Sequence, residues 1–210
     1  NYVASNIQDP LSRMPGVGED RSIREGVPMS HQAPATAPTI LSLADGAVLR
    51  DALPGDEQGI LDCIQALADY EREPDAVDNT VQMLTGALFG AEPRVFGHVV
   101  EREGSIVGIA LWFLTYSTWT GRHGIWLEDL FVNESERGRG YGKALIAQLA
   151  AVCVERDYSR LEWTVLDWNA PSIAFYRSIG AVPMDEWTTQ RLTDSALDTL
   201  AEHVGGGAGE

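Results

Sequence analysis

The sequence predicts a mixed α/β domain whose central sheet is mostly antiparallel and flanked by helices. Three observations predict it. Segments of alternating apolar residues interleave with segments of helical apolar period. Two of the strand-like segments are joined by the short turn Glu103-Gly104, which makes a hairpin and therefore an antiparallel pair. A further strand-like run, Ile125 to Val132, passes through a glycine-rich loop directly into a helix at Tyr141. The chain has 210 residues, enough for one well-buried domain of this kind.

The elements are justified in chain order. Residues 1–39 carry no sustained apolar period and are rich in Pro, Gly, Ser and Ala, which predicts a flexible leader. Met29 within it can serve as an internal start. The folded domain is expected over 40–204. Ala47 to Leu53 reads as a strand. Asp56 to Tyr70 reads as an amphipathic helix, with Ile60, Leu61, Ile64, Leu67 and Ala68 on one face. A second helix is expected over 77–89, strands over 95–101 and 106–115, and another over 125–132. Tyr141 to Arg156 is the helix after the glycine-rich loop. Leu161 to Leu166 alternates apolar and polar residues and reads as a strand. Asn169 is placed to cap a short helix, Pro171 lies in its first turn and Gly180 ends it. Trp187 to Leu192 reads as a late strand, Asp194 as the cap of a terminal helix, and 205–210 as a flexible tail.

The formal net charge is −16. That argues against nucleic-acid binding and favours attraction of cationic ligands; solubility explains it equally well. No cationic start leads into an apolar run, and no apolar stretch approaches membrane-spanning length. No membrane partner and a cytoplasmic location are expected. Cys63 and Cys153 are expected to be buried free thiols. His31, His98, His123 and His203 form no metal-ligand spacing, so no metal is expected, and nothing suggests a hydrolase triad.

The chemistry concentrates in Glu128-Asp129-Leu130-Phe131-Val132 and the loop Arg137-Gly138-Arg139-Gly140-Tyr141-Gly142-Lys143. Glycines let a backbone approach an anion closely, and the free N–H groups of a helix start point at it. Arg137, Arg139 and Lys143, the chain's only lysine, add charged donors. The loop is therefore expected to hold a phosphate-bearing cofactor. It is not an ATP-binding P-loop: Arg137 stands where the first glycine belongs, and Ala144 replaces the magnesium-binding hydroxyl. Its Gly-x-Gly-x-Gly spacing also departs from the dinucleotide fingerprint.

The pattern Arg-x-x-Gly-x-Gly, from Arg137 to Gly142, resembles the pyrophosphate loop of the Gcn5-related N-acetyltransferases, which bind acetyl-CoA. Val165-Leu166-Asp167-Trp168-Asn169-Ala170-Pro171-Ser172 through Tyr176 to Ala181 resembles the last conserved segment of the same superfamily. Leu67 to Glu71, Ser105 to Arg122, and Trp126 to Asp129 narrow the resemblance to the diamine (spermidine/spermine) acetyltransferase family. Tyr-Ser-Thr-Trp at 116–119 with Leu-Asp-Trp-Asn at 166–169 looks more like its thialysine-acetylating branch. The resemblance spans roughly residues 46–193.

The resemblance implies a sheet whose strands splay beside the cofactor helix, with acetyl-CoA as co-substrate and a primary amine of a small cationic molecule as acceptor. It implies Tyr176 as the acid that protonates the leaving thiolate and Glu128 as the base, acting through ordered water. It places Leu130, Phe131, Val132, the loop 137–143, Asn169, Ser172 and Tyr176 against the cofactor. It places Tyr70, Glu71, Trp119, Glu128, Asp129, Asp185 and Trp187 around the amine. It also implies a homodimer formed through the C-terminal region. Adjacent strand residues face opposite sides, so Glu128 and Asp129 can both face the amine only across a bulge. Ser117 stands where the polyamine-acetylating branch carries an acid, which implies a preference for thialysine, lysine-like amines or short diamines over spermine. Each site residue also fits an ordinary structural role: Tyr176, Trp119 and Trp187 as core aromatics, Glu71, Glu128 and Asp129 as solvated acids, Asn169 and Ser172 as helix cap and first turn. Two other functions suit the same scaffold, a protein or peptide acetyltransferase and a non-catalytic acetyl-CoA-binding regulatory module.

Overall fold

A computed structural model describes residues 39–205 of the chain. The expected leader up to residue 38 and the tail from residue 206 lie outside the described residues. The elements are β1 (Ile40–Ser42), β2 (Val48–Asp51), α1 (Glu57–Glu71), α2 (Val81–Phe89), β3 (Phe96–Arg102), β4 (Ser105–Ser117), β5 (Arg122–Val132), a 3₁₀ turn (Glu134–Glu136), α3 (Tyr141–Glu155), β6 (Leu161–Glu162), α4 (Ala170–Ser178) and α5 (Asp194–Gly205). The strands form one six-stranded sheet in sequence order. β1 to β5 pair antiparallel, and β6 joins β5 in parallel. The mixed, mostly antiparallel sheet predicted from sequence is the one observed.

The β3–β4 hairpin turns on Glu103 and Gly104, at φ 52° and 78°. Positive φ at both central positions matches the right-handed strand twist. The long β4–β5 ribbon is the spine of the sheet, and each face of the sheet buries its own apolar cluster. α1 and α2 cover one face, where Ile60, Cys63, Leu84 and Leu88 meet Val99, Ile109, Leu111 and Phe131. α3 covers the other, where Leu145, Ile146, Leu149 and Val152 meet Val100, Ala110, Trp112, Ile125 and Leu127. Both thiols are free and buried, as expected.

Four elements differ from the sequence reading. β1 went unread, because its three residues are exposed and carry no alternation. α2 starts at Val81 rather than 77, because the Thr80 side chain caps it by accepting from the Met83 amide at 3.2 Å. The expected strand over 161–166 shortens to Leu161–Glu162, because the chain then leaves β5. The expected strand over 187–192 is absent: residues 181–193 hold no regular strand or helix and are almost wholly exposed. A strand needs an edge to pair with, and the sheet ends at the two-residue β6. α5 does begin at Asp194. Among the described residues, no helix is long and apolar enough to cross a membrane.

Candidate active site

The site begins where two strands separate. β5 pairs with β6 only at Ile125–Leu161 and Trp126–Glu162. Beyond that, residues 127–132 keep β4 on one side and no strand on the other, which leaves a wedge-shaped opening. The Asn133 amide donates to Val107 O at 2.9 Å. By the alternation of an antiparallel ladder, Phe131 also turns its polar backbone toward β4, while Leu130 and Val132 turn theirs to the opening. Two contacts agree. Phe131 O lies 3.2 Å from where a Cβ on Gly108 would sit, and Val132 O accepts from Arg137 Nε at 3.1 Å. Leu130 and Val132 therefore turn their amides to the opening. Phe131, also expected against the cofactor, turns its amide to β4 and buries its ring under α1.

The glycine-rich loop closes one end of the opening. Gly138 and Gly140 sit at φ 81° and 84°, a region costly for any residue with a Cβ. Gly140 is the N-cap of α3 and supplies no side-chain bond. The helical ladder starts with the Ala144 amide on Gly140 O at 2.9 Å. The amides of Tyr141, Gly142 and Lys143 precede it and are open to an anion. The Tyr141 ring itself is buried, and its hydroxyl donates to Asp45 Oδ2 at 2.5 Å. Its side chain thus anchors the loop and leaves only its amide for a ligand.

The three cations of the loop have different surroundings. Lys143 is exposed. Arg139 is held between Glu136 at 3.0 Å and Asp45 at 3.5 Å, and Glu136 also takes Arg102 at 2.7 Å. Arg137 lies 4.9 Å from the Tyr70 ring and 5.8 Å from that of Phe131. Asp45 and Glu136 were not among the sequence-read site residues. The Glu136–Arg139 spacing was a legible signal. Asp45, in the β1–β2 turn, had none.

A bulge shapes the acidic wall. Leu111 pairs with Asp129, but Trp112 pairs with Leu127, so Glu128 is an extra residue on β5. Before it, Ile125 and Leu127 face α3. After it, Leu130 and Val132 face α3 while Phe131 faces α1. The bulge therefore turns Asp129 to the α1 side. Glu128 is exposed, and its Oε2 accepts from Trp126 Nε1 at 2.8 Å. Burial, with the charges of Glu128 and Glu71 nearby, pushes the Asp129 carboxyl up to about 6. Partial burial also raises Glu71 at the end of α1.

Tyr176 and Asn169 complete the far wall. The Tyr176 ring packs edge-on against Trp163 at 5.0 Å. Burial, then Glu71 and Tyr70, hold its phenol above the ordinary value, so it stays protonated at neutral pH. Asn169 Oδ1 caps α4 by accepting from the Ser172 amide at 3.3 Å, and also accepts from Tyr70 OH at 3.1 Å. The capping reading of Asn169 is thus realised, with a tie to α1 that sequence did not suggest. Burial pushes the Cys63 thiol up to about 12 and Cys153 to about 11, so neither is a nucleophile at neutral pH.

Not every expected residue converges. Trp119 lies in the β4–β5 turn, seven strand residues from Asp129 counted along β5 from Arg122, or roughly 23 Å at about 3.3 Å per residue. Ser117 is at the same end, buried, and its hydroxyl accepts from the Thr120 amide at 3.2 Å. It braces the hairpin, at the opposite end of β5 from Glu128 and Asp129. Asp185 and Trp187 lie in the exposed segment after α4. Among the described residues, no group of three or more His, Cys, Asp or Glu is arranged to hold a metal.

A sheet split beside a helix N-terminus, with a glycine loop at one end and acids and a protonated tyrosine on the walls, defines an acyltransferase class. The chain belongs to the acetyltransferase (GNAT) family, which it matches over residues 61–181, and is an acyltransferase enzyme. It is 35% identical over 167 residues to the thialysine N-epsilon-acetyltransferase of Sus scrofa, covering 73% of this chain and 96% of the relative. It is 37% identical over 95 residues to the L-ornithine N5-acetyltransferase NATA1 of Arabidopsis thaliana, covering 45% of this chain and 42% of that protein. Among solved structures, an integron cassette protein from the mobile metagenome of V. cholerae superposes with TM-score 0.64 at 24% identity, covering 74% of this chain and 98% of the other. That likeness concerns the fold.

Proposed function

We propose that this protein transfers the acetyl group of acetyl-CoA to a primary amine of a small cationic molecule by direct attack on the thioester. The observation that carries the proposal is the opening along residues 127–132 of β5, ending at the glycine loop. Pantetheine fits there as an added strand paired to Leu130 and Val132, with its pyrophosphate on the amides of 141–143 and on Arg137 and Lys143. Asn169 and Ser172 sit at the start of α4, beside the cofactor's path.

The amine side is acidic. Glu71, Glu128 and Asp129 form a negative wall, and the Tyr70 ring already accepts a cation on its face. The attacking nitrogen loses a proton to the Glu128–Asp129 pair, and Tyr176 protonates the departing thiolate. The relatives named for thialysine and ornithine acetylation act on amino acids with a side-chain amine. We extend that class to this chain: thialysine, lysine-like amines or short diamines, ahead of spermine. Trp119, at the far end of β5 from Asp129, would reach an amine site from a second copy, which fits a homodimer formed through the C-terminal region. Exposed Val182, Met184, Trp187, Leu192, Leu197 and Leu200 support that assembly.

A thermal-shift titration tests the cofactor half of the reading. Acetyl-CoA should stabilise the protein saturably, and Gly140→Asp, which puts a Cβ at φ 84° and an anion in a phosphate site, should abolish the shift. No shift at millimolar acetyl-CoA with wild type overturns the reading.

A further inference from the structure

We propose that Asp45, in the turn between β1 and β2, is a positioning residue for the cofactor: it holds the glycine loop in the form that receives the pyrophosphate of acetyl-CoA. The assignment rests on the acetyl-transfer reading above, and it makes the edge hairpin β1–β2 part of the cofactor site. Three observations carry it.

The first is that the loop lacks the usual supports. Gly138 and Gly140 both sit in the left-handed region, and a Cβ on either would meet nothing within 4 Å, so packing fixes neither. Gly140 is also the N-cap of α3 and makes no side-chain bond, so the cap that commonly ties a loop to its helix is missing. Glycines carry the most backbone freedom to lose when a ligand orders them.

The second is that Asp45 supplies a tie from the far edge of the sheet. Its Oδ2 accepts from the Tyr141 hydroxyl at 2.5 Å and lies 3.5 Å from Arg139 Nη1. Arg139 and Tyr141 flank Gly140, so one carboxylate oxygen grips the loop on both sides of its cap glycine. The Tyr141 ring is buried in the cluster that holds Ala47 and Leu49, just after the turn. The hydrogen bond from Tyr141 holds the Asp45 carboxyl below its ordinary value, so it is ionised at neutral pH.

The third is that the hairpin is itself fixed. Asp45 Oδ1 accepts from the Ala47 amide at 3.4 Å, and the Leu43 amide closes the turn on Ala47 O at 2.8 Å. About two turns along α3, Gln148 Nε2 donates to Thr39 Oγ1 at 3.2 Å, so hairpin and helix are joined at two points. Arg139 is shared by Asp45 and Glu136. Its charge is answered within the protein, which leaves the anion to Arg137, Lys143 and the amides of 141–143.

A brace and a bare charge predict opposite signs. A carboxylate beside a phosphate site repels the ligand, so as a charge alone its removal strengthens binding. As a brace, its removal frees the loop and weakens binding.

The test is calorimetric titration of acetyl-CoA, without amine, into wild type, Asp45→Ala, Asp45→Asn and Tyr141→Phe, with Tm recorded for each. Asp45→Ala should raise Kd roughly tenfold, the loss expected for a hydrogen bond to a charged group. Tyr141→Phe keeps the buried ring and should raise Kd roughly three- to tenfold. Asp45→Asn keeps an oxygen for the hydroxyl and should fall between wild type and Asp45→Ala. With thialysine as acceptor, KM for acetyl-CoA should follow Kd while kcat stays within about threefold, because Tyr176 and the acids are untouched. Tighter binding by Asp45→Asn, or a lowered Tm with Kd unchanged across the variants, overturns the assignment. If Asp45→Ala does not fold, the other two decide, and a Kd within about 1.5-fold of wild type in both overturns it. Wild type that binds no acetyl-CoA at millimolar concentration overturns the acetyl-transfer reading, and the assignment with it; wild type that binds, with Asp45→Ala its equal, overturns the assignment alone.

Discussion

The middle of this chain and its C-terminal end solve the burial problem differently. From β2 through α3, apolar side chains alternate onto two sheet faces, and each face has a helix to cover it. After α4 the apolar residues find no cover. Trp187 is 54% exposed, Leu197 53% and Leu200 58%. Leu197, Leu200 and Val204 recur at helical spacing along α5, a stripe that ordinarily faces a core. The contrast separates two tasks. The middle builds the opening beside β5 from its own contacts, and the end leaves an apolar surface exposed.

The sharpest way to break that division is at the boundary between the two regions, on α4. If the middle alone builds the chemistry, Tyr176→Phe should lower kcat by roughly ten- to a thousandfold while acetyl-CoA affinity changes little. Steady-state kinetics beside the thermal-shift titration separate the two effects. An unchanged kcat returns Tyr176 to a packing role against Trp163. The second test concerns the end. Leu197→Glu combined with Leu200→Glu should halve the mass seen by light scattering at micromolar concentration, while acetyl-CoA still raises Tm. A wild-type mass already that of one chain contradicts the dimer.

The smallest expected effect is on stability, and it lies in the middle. A carboxyl whose folded value is raised costs stability once ionised. For Asp129, at about 6 against an ordinary 3.8, the cost is absent below pH 4 and complete above pH 6. Asp129→Asn removes it, a gain of at most about 3 kcal/mol. Its Tm should exceed that of wild type by a few degrees at pH 8 and match it near pH 4. An equal Tm at both pH values contradicts the burial and like-charge account of Asp129.

The same contrast explains what the sequence revealed. β3, β4, β5 and α3 were legible because amphipathic period and burial agree there, and Glu103-Gly104 announced its own turn. The glycine loop was legible because its residues act through local backbone geometry. The bulge was not read: it is a register shift between Leu111 and Trp112 on one strand and Asp129 and Leu127 on the other, and within β5 it shows only as a one-residue phase break, from Ile125 and Leu127 to Leu130 and Val132. It decides which of two adjacent acids faces α1. Asp45 was hidden for a similar reason, since its contact with Tyr141 spans 96 residues. The expected strand over 187–192 has strand-like residues but pairs with no edge of the sheet, so propensity alone did not produce it.

The most direct test of the central claim is turnover. Wild-type protein incubated with acetyl-CoA and a panel of thialysine, lysine, ornithine, short diamines and spermine should release coenzyme A only when an amine is present. Mass spectrometry should show one acetyl group on the side-chain or terminal amine, with kcat/KM higher for the amino acids or short diamines than for spermine. Spermine preferred by tenfold or more contradicts the substrate assignment, and no amine-dependent release with any member of the panel contradicts the account of the site.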